Sequence, residues 1–117
     1  MALSSELKVY KDTYQMALFI MECVDNFPKA YKHNLGNRLI DKVLSCLDYI
    51  TRANQDIEKR ALLLGDFQVE FEALKTLLNL AKDKKLINIK RAGRFGAFSS
   101  NIGRQIVGWK KSALREL

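Results

Sequence analysis

The sequence predicts an all-α fold, an antiparallel up-and-down four-helix bundle. Two observations predict it. Apolar residues recur in three- and four-residue steps through four successive segments, and no stretch alternates for long enough to make a strand. The connections between segments are short, which favours antiparallel neighbours, and 117 residues leave room for a single domain spanning 1–117. With 48% hydrophobic residues, the chain can build a core without disulfide staples.

The first segment, roughly 7–26, carries Leu7, Tyr10, Tyr14, Ala17, Met21 and Val24 as a seam suited to near-antiparallel packing. Pro28 disfavours helical backbone at the residue before it, so Phe27 is expected in the turn. The second segment, roughly 33–54, sets Gly36, Leu39, Val43, Cys46, Ile50 and Ala53 on one stripe, widened by Ile40, Leu44 and Leu47. Asn54-Gln55-Asp56 marks a break, with Asp56 as the N-cap.

The third segment, roughly 57–86, aligns Arg60, Leu63, Phe67, Phe71, Leu74, Leu78 and Ala81, with Leu64, Leu77 and Leu80 beside them. Gly65 predicts a kinked or frayed start. Leu86-Ile87-Asn88-Ile89 is read as the exit into a connection. Gly93 and Gly96 then predict a loose entry to the fourth segment, helical over roughly 97–115, with Ser99 or Ser100 as a candidate cap. Phe95, Phe98, Ile102, Ile106, Trp109 and Ala113 keep helical step through it.

Few parts for catalysis are present. His33 is the only histidine, which leaves no His/Cys zinc cluster and no Glu-x-x-His pair. A nucleophile triad would need His33 beside a cysteine or serine, and Gly93–Gly96 has neither the length nor the preceding strand of a phosphate-binding loop. No catalytic, cofactor or metal-ligating residue is assigned, and an enzyme is not expected. Cys23 and Cys46 lie in apolar helical runs and are read as two buried thiols of a reducing cytoplasm. The N-terminus lacks the charged and apolar regions of a signal peptide. The longest uncharged stretch, Thr13 to Met21, falls short of the ~20 residues of a membrane span, so a soluble protein is expected.

Charge is the most informative feature. The net charge is +7. Residues 1–81 hold ten Lys/Arg against eleven Asp/Glu, whereas residues 82–117 hold ten against two. Such asymmetry points to a polyanionic partner, nucleic acid ahead of an anionic membrane surface. Lys82, Lys84, Lys85, Lys90, Arg91 and Arg94 cover the end of the third segment and the following connection. Arg104, Lys110, Lys111 and Arg115 decorate the fourth, and Lys75 shares a helical face with Lys82. On the second segment, Arg38 and Lys42 stand four apart.

These side chains can neutralise phosphates, and no base-reading motif accompanies them. The expected binding to RNA or DNA is therefore backbone-directed and weakly sequence-specific. Phe95 is read as packing at the helix entry ahead of stacking on a base. Gly103 and Gly108, each costly inside a helix, predict with Trp109 a close helix–helix approach, within the bundle or between subunits.

Phe27-Pro28-Lys29, followed by Leu35-Gly36 and Arg38-Leu39, resembles the four-helix bundle proteins found with intervening sequences in large-subunit ribosomal RNA. The run from Ala73 to Lys82, and Ile102-Gly103-Arg104 with Gly108-Trp109, look more like their relatives, the Avd accessory proteins of diversity-generating retroelements. The similarity spans nearly the whole chain through the order and spacing of short elements. It implies a ring-like homo-oligomer, a pentamer, with a positive surface, in the cytoplasm of a bacterial, archaeal or phage-encoding host. It also implies association with a reverse transcriptase and its template RNA during mutagenic copying into cDNA, without catalysis by the protein itself. In that family basic residues of the third helix are implicated, and Lys75 and Lys82 match them; Asn79 departs from a continuous basic ladder. The competing expectation is a protein-only scaffold of the intervening-sequence type.

Overall fold

The computed structural model describes residues 3–116, which form four long helices with no strand among them. They are α1 (Lys8–Asp25), α2 (Asn37–Gln55), α3 (Arg60–Asp83) and α4 (Ile89–Arg115). A 3-10 turn, Ser4–Glu6, precedes α1. One α-turn, Lys29–Tyr31, and a π-helical stretch, Lys32–Gly36, lead without interruption into α2. Cross-helix pairs set the directions. Asp12 meets Asn101 and Gln105, Phe19 meets Phe98, and Glu22 meets Arg91. On the other side Lys42 meets Glu70, and Arg60 turns back onto Ala53. α1 therefore runs antiparallel to α4, and α2 to α3, and the bundle is a rod of 47 × 22 × 22 Å.

The core follows α2 as expected: Leu39, Val43, Cys46, Ile50 and Ala53 are all fully buried. Phe67, Leu74 and Leu78 of α3 pack there too, joined by Ile102 and Ile106 of α4. The outward positions Asp41, Asp48 and Arg52 of α2 are exposed. Removing the apolar stripe from water, at about 25 cal/mol per Å², is the main favourable term that holds such helices together.

The first seam is corrected. In α1 Ala17 and Val24 of the expected seam are buried, but the other inward residues are Val9, Thr13, Met16, Phe19, Ile20 and Cys23, while Tyr14 remains 48% exposed and Tyr10 and Met21 are half-buried. Two apolar faces compete on this helix. The face holding Thr13 wins because the hydroxyl bonds the Val9 carbonyl at 2.7 Å, which removes the cost of burying it. Leu44 and Leu80, expected to widen the core, are also exposed.

Several boundaries move. Phe27 does lie in the bend before Pro28, and it is buried rather than a surface turn residue. The second helical run starts at Lys29, earlier than expected. Asp56 accepts from the Lys59 backbone N–H at 3.1 Å and so caps the turn ahead of α3, which starts at Arg60. Gly65 lies within an unbroken helix, neither kinked nor frayed. The largest change is at α4, which begins at Ile89 and passes through Gly93, Gly96, Ser99 and Ser100. Its cap is Asn88, whose side-chain oxygen accepts from the Arg91 N–H at 2.8 Å. Burial of Phe95 and Ile87 outweighs the glycines' poor helix propensity of up to about 1 kcal/mol each.

Gly36 is the one glycine at which the fold leaves no space. A Cβ there would stand 2.6 Å from Val24 Cγ1, so the π-turn lies directly against α1. Gly103 and Gly108 do not serve a close approach within the bundle. A Cβ at Gly103 would meet only Phe71, at 3.9 Å, and one at Gly108 would meet nothing within 4 Å. Trp109 is half-buried beneath the Arg60 guanidinium, 5.7 Å from its ring. Cys23 and Cys46 are both buried and free, and burial pushes the Cys46 thiol up to about 12 and raises Cys23 as well. Among the described residues no helix is long and apolar enough to cross a membrane.

Candidate nucleic-acid interface

Antiparallel packing brings the end of α1, the start of the second helical run, the end of α3 and the start of α4 to one end of the rod. The sequence puts Lys29 and Lys32 in the second of these, Lys82, Lys84 and Lys85 in the third, and Lys90, Arg91 and Arg94 in the fourth. Their contacts tie the end together. Lys32 Nζ donates to the Asp25 carbonyl at 3.4 Å, and Lys84 Nζ lies 5.7 Å from the Tyr31 ring. Arg91 meets Glu22 at 3.5 Å, and the Arg94 guanidinium covers the Phe19 ring at 4.8 Å. Lys29 and Lys32 therefore join a cluster that the linear sequence assigns to the last third alone.

The α3–α4 connection that carries this cluster has an unusual backbone. Lys85 adopts φ 60°, the only positive φ of a non-glycine among the described residues. Its N–H donates to the Lys82 carbonyl at 2.9 Å, and the Leu86 N–H donates to the Ala81 carbonyl at 2.8 Å. This is a Schellman close, in which the left-handed position is ordinarily glycine. A lysine there accepts strain of about 1 kcal/mol while placing an ammonium at the tip of the turn. Lys82, Lys84, Lys85 and Lys90 are exposed, and among the described residues none of them faces a carboxylate within salt-bridge distance.

Of the remaining sequence-predicted cations, Arg38 is exposed in the first turn of α2 at this same end and Lys75 stands beside Lys82, Lys85 and Lys90, while the others do not gather here. Lys75 is held by Glu72 at 2.6 Å and lies 5.2 Å from the Phe71 ring. Arg104 is exposed midway along α4. Lys110 donates to Gln68 Oε1 at 3.0 Å, and Lys111 follows it, both about 30 Å along the helix axis from Lys90 at the usual rise per residue. Arg115 is near the same far end, where Glu116 and Asp56 also lie. Lys42, paired with Glu70 at 3.1 Å, is committed to the bundle. Sequence reasoning missed Lys29 and Lys32; the signal that could have found them is the antiparallel topology itself, which folds the 26–36 connection next to the 84–88 connection.

The Phe95 side chain is buried and so packs rather than stacks. Beside the cluster a trough of about 1230 Å³ runs between α3 and α4, floored by Leu78, Ile87 and Phe95 and edged by Lys75, Lys82, Lys85 and Lys90. It continues as a second stretch of about 540 Å³ past Phe71, Gly103, Arg104 and Val107. Among the described residues no group of three or more His, Cys, Asp or Glu side chains is arranged to hold a metal ion.

The described residues thus form an all-α four-helix bundle with a cluster of cations at one end. The family model described as bAvd-like matches residues 7–113, and the chain belongs to that family. Comparison with curated proteins returns no match. The family expected from Phe27-Pro28-Lys29, the Ala73–Lys82 run and Gly108-Trp109 is the family found.

Proposed function

We propose that the protein is a non-catalytic accessory factor of a diversity-generating retroelement. It assembles with copies of itself, a pentameric ring being the form the resemblance implies, and holds a reverse transcriptase and its template RNA or cDNA together during mutagenic copying. Membership of the bAvd-like family supports the accessory role. The observation that carries nucleic-acid binding is the clustering of exposed lysines, Lys82, Lys84, Lys85 and Lys90, which have no carboxylate partner among the described residues, at one end of the rod, joined by Lys29 and Lys32.

Each lysine at this end can neutralise a phosphate and release a counterion, and no base-reading motif accompanies them. For about five phosphate contacts on a single strand, affinity falls about 100-fold between 50 and 200 mM salt. Fluorescence anisotropy with a labelled single-stranded RNA measures this. An affinity that does not move over that range contradicts the reading, as does failure of the protein to co-purify with a reverse transcriptase encoded beside it. Retention of neither nucleic acid nor polymerase by an assembled protein is the result expected of a protein-only scaffold.

A further inference from the structure

We infer that the trough between α3 and α4 is filled in solution by the outer ridge of α3 from a second copy of this chain. The inference rests on the oligomeric part of the reading above and assigns the faces that meet. Its first support is a set of glycines the single chain does not explain. A Cβ at Gly93 or Gly96 meets nothing within 4 Å, and one at Gly103 makes only an ordinary contact. Each glycine weakens α4 relative to alanine. With Ser100 and Val107 they form a seam in steps of three and four, which is the spacing of a surface that receives another helix closely. Ile89, 88% exposed, opens this seam.

The second support is a matching ridge. On the outside of α3, Leu62, Val69 and Thr76 recur in heptad step, with Leu80 four residues on, and Leu62 and Val69 are each 67% exposed. Large side chains there complement small ones on α4. Charge agrees with shape. The trough is rimmed by Lys75, Lys82, Lys85, Lys90 and Arg104 with Glu72 as its one carboxylate, and α4 contains no acidic residue. The α3 ridge is flanked by Asp66 and Asp83, while Glu72 is held by Lys75 on the trough side. A nucleic-acid strand would satisfy the lysines but not the apolar floor of Leu78, Ile87 and Phe95. The outer face of α2, with Asp41, Asp48 and Arg52, has no apolar ridge to offer.

An α3 ridge seated on another copy's α3–α4 trough is a head-to-tail contact, which closes into a ring or runs on as a filament. It leaves Lys29, Lys32, Lys84 and Arg94 outside the seam. The test co-expresses Thr76→Cys and Ser100→Cys chains, both positions being exposed and the native cysteines buried, and treats the product with a short bismaleimide. Cross-linked dimers are expected from the mixture and not from either variant alone. Gly96→Leu is expected to keep its helical circular dichroism, since nothing in the chain occupies that space, and to sediment as a monomer. Cross-linking of Ser100→Cys alone, or an oligomer that survives Gly96→Leu, overturns the pairing of faces while leaving oligomerisation intact. A wild-type protein that sediments as a monomer at micromolar concentrations overturns both. Loss of RNA affinity in Gly96→Leu with no change in assembly assigns the trough to nucleic acid and also overturns the proposal.

Discussion

Lys85 holds a backbone conformation that glycine would hold without strain. Lys85→Gly is therefore expected to raise stability by about 1 kcal/mol in thermal or urea unfolding, while weakening RNA binding through the lost ammonium. A variant that loses stability instead shows that the side chain supports the turn. Glycines give a second contrast. Gly36→Ala drives a methyl to within 2.6 Å of Val24 Cγ1 and is expected to cost about 1–3 kcal/mol, whereas Gly108→Ala, in open space, is expected to stabilise by about 0.5–1 kcal/mol. Both readings come from unfolding curves of the single variants. Sequence reasoning noticed Gly103 and Gly108 and read Gly36 as a stripe residue and as part of the Leu35-Gly36 resemblance, not as a point of close packing. Helix propensity flags every glycine inside a helix alike, while the neighbour that forbids a side chain, Val24 on another helix, becomes visible only once the chain is folded.

At the scale of elements, α1 and α4 are joined by a polar clasp. Asp12 Oδ2 accepts from Lys8 Nζ at 2.8 Å, Gln105 Nε2 at 2.7 Å and Asn101 Nδ2 at 2.9 Å. The Lys8 hydrogen bond, with those from Gln105 and Asn101, holds the Asp12 carboxyl below its usual value of 3.8 against the opposing effect of burial. A lowered folded pKa gives stability that is complete above the unfolded value and is lost as pH falls through the folded one. Asp12→Asn is thus expected to be less stable than wild type near neutral pH and to flatten the stability profile below about pH 4. An unchanged acid limb in urea unfolding at stepped pH contradicts this role. The helices differ in how far they could be read. The α2 stripe was legible because its opposite face is charged, so only one register buries the apolar residues. In α1 the exposed Tyr14 and Leu18 offered a second apolar face, and in α4 the glycines masked a helix start that the Asn88 cap encodes.

On the scale of the whole molecule, the fold turns a basic third of the chain into a basic end of a rod. The sequence showed how much charge there is and which residues carry it. It did not show that Lys29 and Lys32 join the cluster or that Lys110 and Lys111 leave it, because those facts depend on which connections share an end. Self-repulsion among such close lysines is screened by salt and relieved by a bound polyanion, so RNA is expected to raise the melting temperature, and most at low ionic strength. A thermal melt with and without a short RNA checks this. The central claim is that the end formed by the two connections, and not basic charge in general, binds nucleic acid. Anisotropy titrations of one labelled RNA compare Lys29→Glu/Lys84→Glu, both outside the trough, with Lys110→Glu/Lys111→Glu, two variants of equal net charge. The account predicts a loss of at least about tenfold for the first pair, as two phosphate contacts become two repulsions, and near wild-type affinity for the second. Equal losses for both pairs, or a larger loss for the second, would contradict it.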